Sequence, residues 1–266
     1  METKEFKISC HAIGEIMAGE IGLTPIQDSR LNELIERRNG VGKPLTTNME
    51  IELDKLIDKR DNPELPKGAK SYCKTWLKKS LFGFSENWKS VVIDKGLAVE
   101  VDGINLVAEV YQLGELSKNE DWFQNDFCKG TPDVIDTETV RDIKCSWDIF
   151  TYPMFDDELP KKEYWWQLQG YMWLLGIKKA SLDYVLIDTP MPLVLLDLKK
   201  LYFQSGGVAD DWTPDRYEAM YPNYRFDNVP KEMRVKSFTF NYEPWIEEQI
   251  SYRVDLCRKY IATLTK

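Results

Sequence analysis

The sequence predicts a mixed α/β fold in which a central sheet is flanked by helices. Three observations carry this prediction. The segment 1–85 has the apolar spacing of helices, whereas 119–146 has short apolar runs separated by turn residues, as strands do. A helical segment at about 160–175 is followed by a strand at 182–187, and the chain closes with a strand and a helix within 233–266. Such alternation of helices and strands is the pattern of an α/β arrangement.

Four helices are predicted in the N-terminal segment. One begins near Ser9, and a second follows Thr24, which precedes a proline. A third begins at Thr47, because Thr47 and Glu50 have the spacing of a capping box. The fourth lies at about 72–81. The N-terminal part of the chain is therefore expected to be helical throughout.

We expect a single domain over residues 1–266, which is long enough to bury a sizeable core. It divides into a helical N-terminal part at 1–85, a core at 86–200, an irregular insertion at 201–232, and the closing strand and helix at 233–266. The insertion is predicted from its many Gly, Pro, Asp and Asn residues.

The composition excludes several classes of protein. No apolar run approaches the roughly 20 residues that span a bilayer, and no apolar signal region follows Met1, so we expect a cytoplasmic protein with no membrane partner. The five cysteines are scattered singly without a C-x-x-C pair, which argues against a zinc knuckle.

The charge balance argues against a protein that coats nucleic acid non-specifically. The formal net charge is −9, from 44 acidic and 35 basic residues. An enzyme that meets DNA through a local basic patch and metal ions is not excluded. Lys161 and Lys162 form one of several short basic clusters, and solvated surface lysines are an equally good interpretation of each cluster.

A long helical pattern at about 88–113 carries a carboxylate on an otherwise apolar face. The residues of this face are Ile93, Leu97, Glu100, Ile104, Val107 and Tyr111. An unpaired buried carboxylate is costly, so Glu100 is predicted to face a polar site, with Glu109 as the next candidate. The alternative is that the apolar face is wider and Glu100 lies at its edge.

Two carboxylates and a lysine converge if residues 133–144 form a hairpin. With Thr137 and Glu138 as a two-residue loop, Asp133 falls opposite Asp142, and Lys144 shares their face. Carboxylates so close together repel each other unless a cation intervenes, and they suit Mg²⁺ or Mn²⁺. The alternative is a surface hairpin with a solvated polar face.

These residues resemble the signature of the PD-(D/E)XK nucleases. The residues that match this signature are Asp133, which follows a proline, Asp142-Ile143-Lys144, the upstream Glu100, and the Q-x-x-x-Y element Gln167–Tyr171. The sequence is most similar to the YqaJ-type viral recombinases, which include the phage lambda exonuclease, over roughly residues 88–190. The resemblance implies a restriction-endonuclease-like fold: a mixed central sheet flanked by helices, with a helical N-terminal extension.

The resemblance also implies roles for individual residues. Glu100, Asp133, Asp142 and the Ile143 carbonyl would bind Mg²⁺ or Mn²⁺, and Lys144 would orient the attacking water and offset charge on the phosphate. The residues implied in contacts with DNA or at the edge of the site are Gln167, Tyr171, Ser9, His11, Lys161 and Lys162. For Gln167 and Tyr171, a supporting role behind the metal ligands is the other interpretation, and for Ser9 a plain helix cap.

The implied activity is a metal-dependent exodeoxyribonuclease acting on linear duplex DNA in phage-type recombination. Its implied partners are DNA, a single-strand annealing protein and further copies of the chain in a trimer. A site-specific endonuclease and a catalytically inactive DNA-binding module are the alternatives. An iron–sulfur nuclease of the same superfamily is not expected, because only Cys257 lies beyond residue 145.

Overall fold

The described residues form eight α-helices and seven strands. The computed structural model describes residues 5–84 and 90–265. The helices are α1 (Ile13–Met17), α2 (Pro25–Arg38), α3 (Thr47–Asp61), α4 (Lys67–Phe82), α5 (Val91–Tyr111), α6 (Lys162–Leu175), α7 (Met191–Gln204) and α8 (Ile246–Leu264). The strands are β1 (Ile8–Ser9), β2 (Phe123–Gln124), β3 (Cys128–Gly130), β4 (Val134–Ile135), β5 (Thr139–Cys145), β6 (Lys179–Val185) and β7 (Val235–Asn241).

The capping box lies on α2 rather than on α3, where it was predicted. The Thr24 hydroxyl accepts a hydrogen bond from the Gln27 amide, and the Gln27 side chain accepts one from the Thr24 amide. Helix α3 is capped by Thr46, whose extended backbone stands outside the helix and whose hydroxyl accepts the Met49 N–H. Thr47 is already helical, so it is not the cap. The start of the long helix predicted near Trp88 lies outside the described residues.

The chain divides into two compact units. The first contains the chain up to Ile8, Ala12–Phe84 and the C-terminal segment from Glu247, so nearly all of α8 belongs with the N-terminal helices. The second contains Ser9–His11 and the chain from Ser85 to Ile246, with β2–β7 and α5–α7. Within the described ranges, no helix has the length and apolar character needed to cross a membrane.

A four-stranded mixed sheet organises the second unit, as the predicted fold class requires. Its order is β4-β5-β6-β7, with β5 and β6 parallel and the other neighbours antiparallel. A smaller sheet has the order β1-β3-β2. The two parallel strands are joined through α6, which is the crossover that a parallel pair needs.

Helix α5 packs on the sheet through only part of the predicted face. Ile104 and Val107 are buried as predicted, whereas Leu97 is 70% exposed and Ile93 48%. The buried residues of the helix are Lys95, Val99, Gly103, Ile104, Leu106, Val107 and Ala108. Gly103 allows this close approach, because a Cβ there would lie 3.1 Å from the Ile143 and Val185 methyl groups. The buried face therefore extends toward Val99 and Gly103, and Glu100 lies at its edge.

The segment predicted as an irregular insertion is preceded by a helix that the sequence prediction missed. Helix α7 extends to Gln204, and beyond it the backbone forms 3-10 turns at Ala209–Asp211 and Pro214–Tyr224. Val194 and Leu198 of α7 pack against Tyr224, so this segment has a small apolar core of its own.

Candidate active site

The β4–β5 hairpin brings Asp133 and Asp142 together. Ile135 pairs with Val140, and the Asp136 amide donates to the Thr139 carbonyl, which closes the predicted two-residue loop. Continued by one residue pair beyond Val134 and Arg141, this register places Asp133 opposite Asp142. The Asp133 carboxylate, at the end of the hairpin, accepts a hydrogen bond of 2.6 Å from the Ile143 amide.

Asp142 is almost fully buried, with 1% of its surface exposed, and it has two cationic or polar partners. Lys144 Nζ lies 2.5 Å from Asp142 Oδ2 as an ion pair. Asp142 Oδ1 accepts a hydrogen bond of 2.8 Å from Gln167 Nε2. Apart from this ion pair, Oδ2 has no other partner among the described residues. A carboxylate oxygen carries two lone pairs, so Oδ2 can bind one further ligand beside Lys144.

Gln167 and Tyr171 form a hydrogen-bond network with Asp142. Both side chains are buried on consecutive turns of α6. Gln167 Nε2 also donates to the Tyr171 hydroxyl at 3.0 Å, and that hydroxyl donates to the Thr131 carbonyl at 3.3 Å. This chain of hydrogen bonds fixes the orientation of Asp142 relative to the segment that leads into Asp133. Of the two roles considered for this pair, the contacts favour the supporting one.

Glu100 reaches the edge of the same site but is bound by a lysine that the sequence analysis did not single out. Lys118 Nζ lies 2.6 Å from Glu100 Oε2, and the side chains are 40% and 15% exposed, respectively. The charge of Glu100 makes the smallest of the contributions to the raised pKa of Asp133. Lys118 could not be singled out from the sequence, because its contact with Glu100 spans 18 residues with no intervening motif.

The electrostatics of the site are those of crowded carboxylates. Burial raises the pKa of Asp133 to about 7, and the neighbouring charges of Asp142 and Glu100 add to the increase, against Lys144 and the Ile143 amide. Burial alone would lower the pKa of Lys144, but Asp142 and Asp133 outweigh it and raise that pKa above its ordinary range. Lys144 is therefore a permanent cation, whereas Asp133 titrates near neutrality.

The donor set fits a hard divalent cation by its chemistry. Three carboxylates and a backbone carbonyl are oxygen ligands of the kind that Mg²⁺ and Mn²⁺ prefer. Burial and the charge of Asp142 raise the pKa of Asp133, and a bound cation would favour its ionised form. In the described part of the chain, no three His, Cys, Asp or Glu side chains are clustered tightly enough to hold a metal as they stand. Glu100, held by Lys118, would have to change partner.

A buried lysine ties α5 to the end of the strand that carries Lys144. Lys95 is fully buried, and its Nζ donates to the carbonyls of Ser146 at 2.7 Å and Trp147 at 3.0 Å. Burial lowers the pKa of Lys95 to about 8. Lys95 was not among the residues predicted for the site. Its contacts show that it fixes the helix of Glu100 to the strand of Asp142.

The remaining predicted residues lie at two places, at the start of α6 and beside Cys10. Lys161 and Lys162 are exposed at the start of α6 and line a surface pocket of about 660 Å³ with Tyr164. The Tyr164 ring lies 5.2 Å from Lys144 Nζ and 5.7 Å from Lys161 Nζ, so Lys161 is near the catalytic candidates.

Ser9 and His11 flank Cys10, whose side chain packs against Gly130. A Cβ at Gly130 would lie 3.1 Å from Cys10 Sγ and 2.7 Å from the Tyr171 ring. Glycine is therefore needed at this position of β3 for Cys10 and the Tyr171 ring to pack against the strand. His11 is exposed, and Ser9 is half-buried in β1, directly before the 3-10 turn Cys10–Ala12. The N-cap residue of α1 itself is Ala12.

Asp133 is expected to make the metal-free protein less stable as the pH rises from about 4 to about 7. Its pKa is raised in the folded state, so in this window the unfolded chain releases a proton that the folded chain retains. Asp133→Asn should remove this loss. In EDTA, urea unfolding should show the variant gaining roughly 1–3 kcal/mol over the wild type between pH 4.5 and pH 8. An equal difference at both pH values would show that Asp133 is not a strained carboxyl.

Comparison with known proteins confirms the fold. No family model matches the chain, and no curated protein matches it. A phage-related exonuclease from Haemophilus somnus 129PT superposes with a TM-score of 0.68 at 23% identity, covering 98% of this chain and 96% of that one. The alkaline exonuclease LHK-Exo from Laribacter hongkongensis gives a TM-score of 0.51 at 13% identity, covering 74% and 81%. The structure of LHK-Exo in complex with dAMP gives a TM-score of 0.50 at 13% identity, covering 97% of this chain and 88% of that one. The chain therefore has the fold of these exonucleases, as its resemblance to the lambda exonuclease-like nucleases implied.

Proposed function

We propose that this chain is a metal-dependent deoxyribonuclease, an exonuclease that degrades linear duplex DNA in phage-type recombination. The observation that carries the proposal is the convergence of Asp133, Asp142 and Lys144 on one face of the β4–β5 hairpin, with Glu100 beside them. The shared fold with two exonucleases supports the reaction class. LHK-Exo has been solved with dAMP, a mononucleotide of the kind that an exonuclease releases.

In this proposal the three carboxylates and the Ile143 carbonyl hold Mg²⁺ or Mn²⁺. When bound, the metal lowers the pKa of a coordinated water and polarises a phosphoryl oxygen. Gln167 keeps Asp142 oriented so that its second oxygen stays available. Lys95 keeps α5, and with it Glu100, in register with the end of β5. No iron–sulfur cluster is involved.

Lys144 supplies the fixed positive charge of the reaction. It is held against Asp142 and by the Tyr164 ring, so its ammonium group is positioned before substrate binds. Its charge would orient the attacking water and stabilise the negative charge that builds on the phosphate. The raised pKa means that the ammonium form persists at the alkaline pH where hydroxide is more available.

The metal requirement is tested by digestion of end-labelled linear duplex DNA. We expect cleavage with Mg²⁺ or Mn²⁺ that EDTA abolishes. Asp133→Asn, Asp142→Asn and Lys144→Gln should each lower kcat at least about 100-fold, the scale of losing one electrostatic contact to the transition state. Asp121→Asn, at an exposed carboxylate on the segment beside Asn119, is the control and should keep activity.

Two outcomes would contradict this function. Undiminished cleavage in EDTA would show that the reaction needs no metal. Full activity of a folded Asp133→Asn variant would show that the active site lies elsewhere. A covalently closed circle provides the further comparison. Cutting of the circle at a fixed position would show that the protein is a site-specific endonuclease and not an exonuclease. Binding without any cutting would indicate an inactive DNA-binding module.

Because the whole chain is acidic, we infer that DNA meets a local basic surface that includes Lys161 and Lys162. The proximity of Lys161 to Lys144 through the Tyr164 ring supports this surface. Replacing both lysines with alanine should weaken duplex binding and reduce the slope of log affinity against log salt by about 2, since each phosphate contact contributes about 0.9. The matched control is Lys199→Ala with Lys200→Ala, an exposed pair on α7. Equal slopes for both double variants would place the DNA-binding surface elsewhere.

A single-strand annealing protein and a trimer of this chain remain part of the proposal. Both derive from the resemblance to lambda exonuclease-like proteins. A ring of subunits would keep the enzyme on one DNA molecule, and an annealing protein would use the single strand that it leaves.

A further inference from the structure

The Lys118 ammonium group binds the carboxylate of Glu100 that, in the proposed function, would bind the metal ion. Its Nζ lies 2.6 Å from Glu100 Oε2, a short charge-assisted contact. The Glu100 side chain is only 15% exposed, so this ion pair is partly shielded from solvent. The Glu100 contact is the largest cause of the raised pKa of Lys118, and Asp133 also contributes to it. Lys118 therefore acts on two of the three proposed metal ligands.

The backbone around Lys118 is fixed to the hairpin of the proposed site. Lys118 forms a β-bridge with Val134, the residue after Asp133. The Asn119 amide donates to the Asp133 carbonyl at 2.7 Å, and its side-chain amide donates to the Pro132 carbonyl at 2.9 Å. The Lys118 side chain, in contrast, is 40% exposed and has room to move. The backbone of Lys118 is thus fixed beside the proposed site, while its ammonium group can move away from Glu100.

We propose that Lys118 is an internal counter-ion that holds Glu100 while the site is without metal and competes with the divalent cation for that carboxylate. This inference rests on the proposed function. In the metal-free protein, Lys118 and Lys144 together place two positive charges beside Glu100, Asp133 and Asp142. They limit the repulsion among the carboxylates that would otherwise oppose folding. The cost is that metal binding must break the Lys118–Glu100 pair.

The two lysines bind different carboxylates of the proposed site. Lys118 is paired with Glu100, whereas Asp142 is held by Lys144 and Gln167. Removing Lys118 should therefore free Glu100 and also remove a positive charge that repels a cation. Both effects act in the same direction, toward tighter metal binding.

The test is a titration of the DNA-free protein with Mn²⁺ by calorimetry, comparing the wild type with Lys118→Met and Lys118→Arg. We expect Lys118→Met to bind Mn²⁺ about two- to fivefold more tightly, the range that a partly exposed ion pair of this kind contributes. Lys118→Arg keeps the charge and should stay close to the wild type. Lys118→Gln gives a second neutral variant if the methionine variant does not fold.

A double-mutant cycle separates competition for Glu100 from a general effect of charge. In the Glu100→Gln background, Lys118→Met should produce a smaller gain than in the wild type, because no ion pair is left to break. Unchanged or weaker Mn²⁺ binding by both neutral variants, or an equal gain in both backgrounds, would overturn the proposal.

Asp133→Asn distinguishes this failure from failure of the metal site. If Asp133→Asn loses Mn²⁺ binding while Lys118→Met equals the wild type, the metal site stands and only the role of Lys118 is wrong. If the wild type itself binds no Mn²⁺ at this site, so that Asp133→Asn binds as the wild type does, the metal site and the role of Lys118 fail together.

Discussion

The repulsion between Asp133 and Asp142 is the constraint to which the rest of the site responds. The two-residue turn at Thr137 and Glu138 leaves the hairpin only one register, and that register sets the two carboxylates opposite each other. A slip of one residue would turn Asp142 to the other face of the sheet. The local turn therefore determines the chemistry, and the surrounding structure must supply compensating positive charge and hydrogen-bond donors.

Compensation comes from three separate elements of the second unit. Strand β5 contributes the Ile143 amide and Lys144, helix α6 contributes Gln167, and the segment after α5 contributes Lys118. Even with these donors, burial and the neighbouring carboxylates leave Asp133 with a pKa of about 7. The proposed divalent cation would favour the ionised form of Asp133 and complete the compensation.

The sequence predicted the parts of this arrangement that depend on local periodicity. The hairpin, its register, the Q-x-x-x-Y helix and the closing strand could all be predicted, because two-residue spacing or one helical turn determines them. The packing of α5 could not, since its buried face includes Gly103 and the fully buried Lys95, whereas Leu97 of the apolar stripe is exposed. Glu100 was identified from a face that is in fact partly exposed, yet it does reach the region of Asp133. Lys118 and α7 were missed because their contacts depend on residues distant in sequence.

We propose that Asp133 and Asp142 form a divalent cation site to which Glu100 contributes after leaving Lys118. The most direct measurement is anomalous scattering from crystals of the wild-type protein grown with Mn²⁺. We expect an anomalous peak coordinated by both aspartates, with the Glu100 carboxylate turned toward it and Lys118 released. Well-ordered crystals with no peak at these aspartates, and with the Lys118–Glu100 pair intact at saturating Mn²⁺, would contradict it.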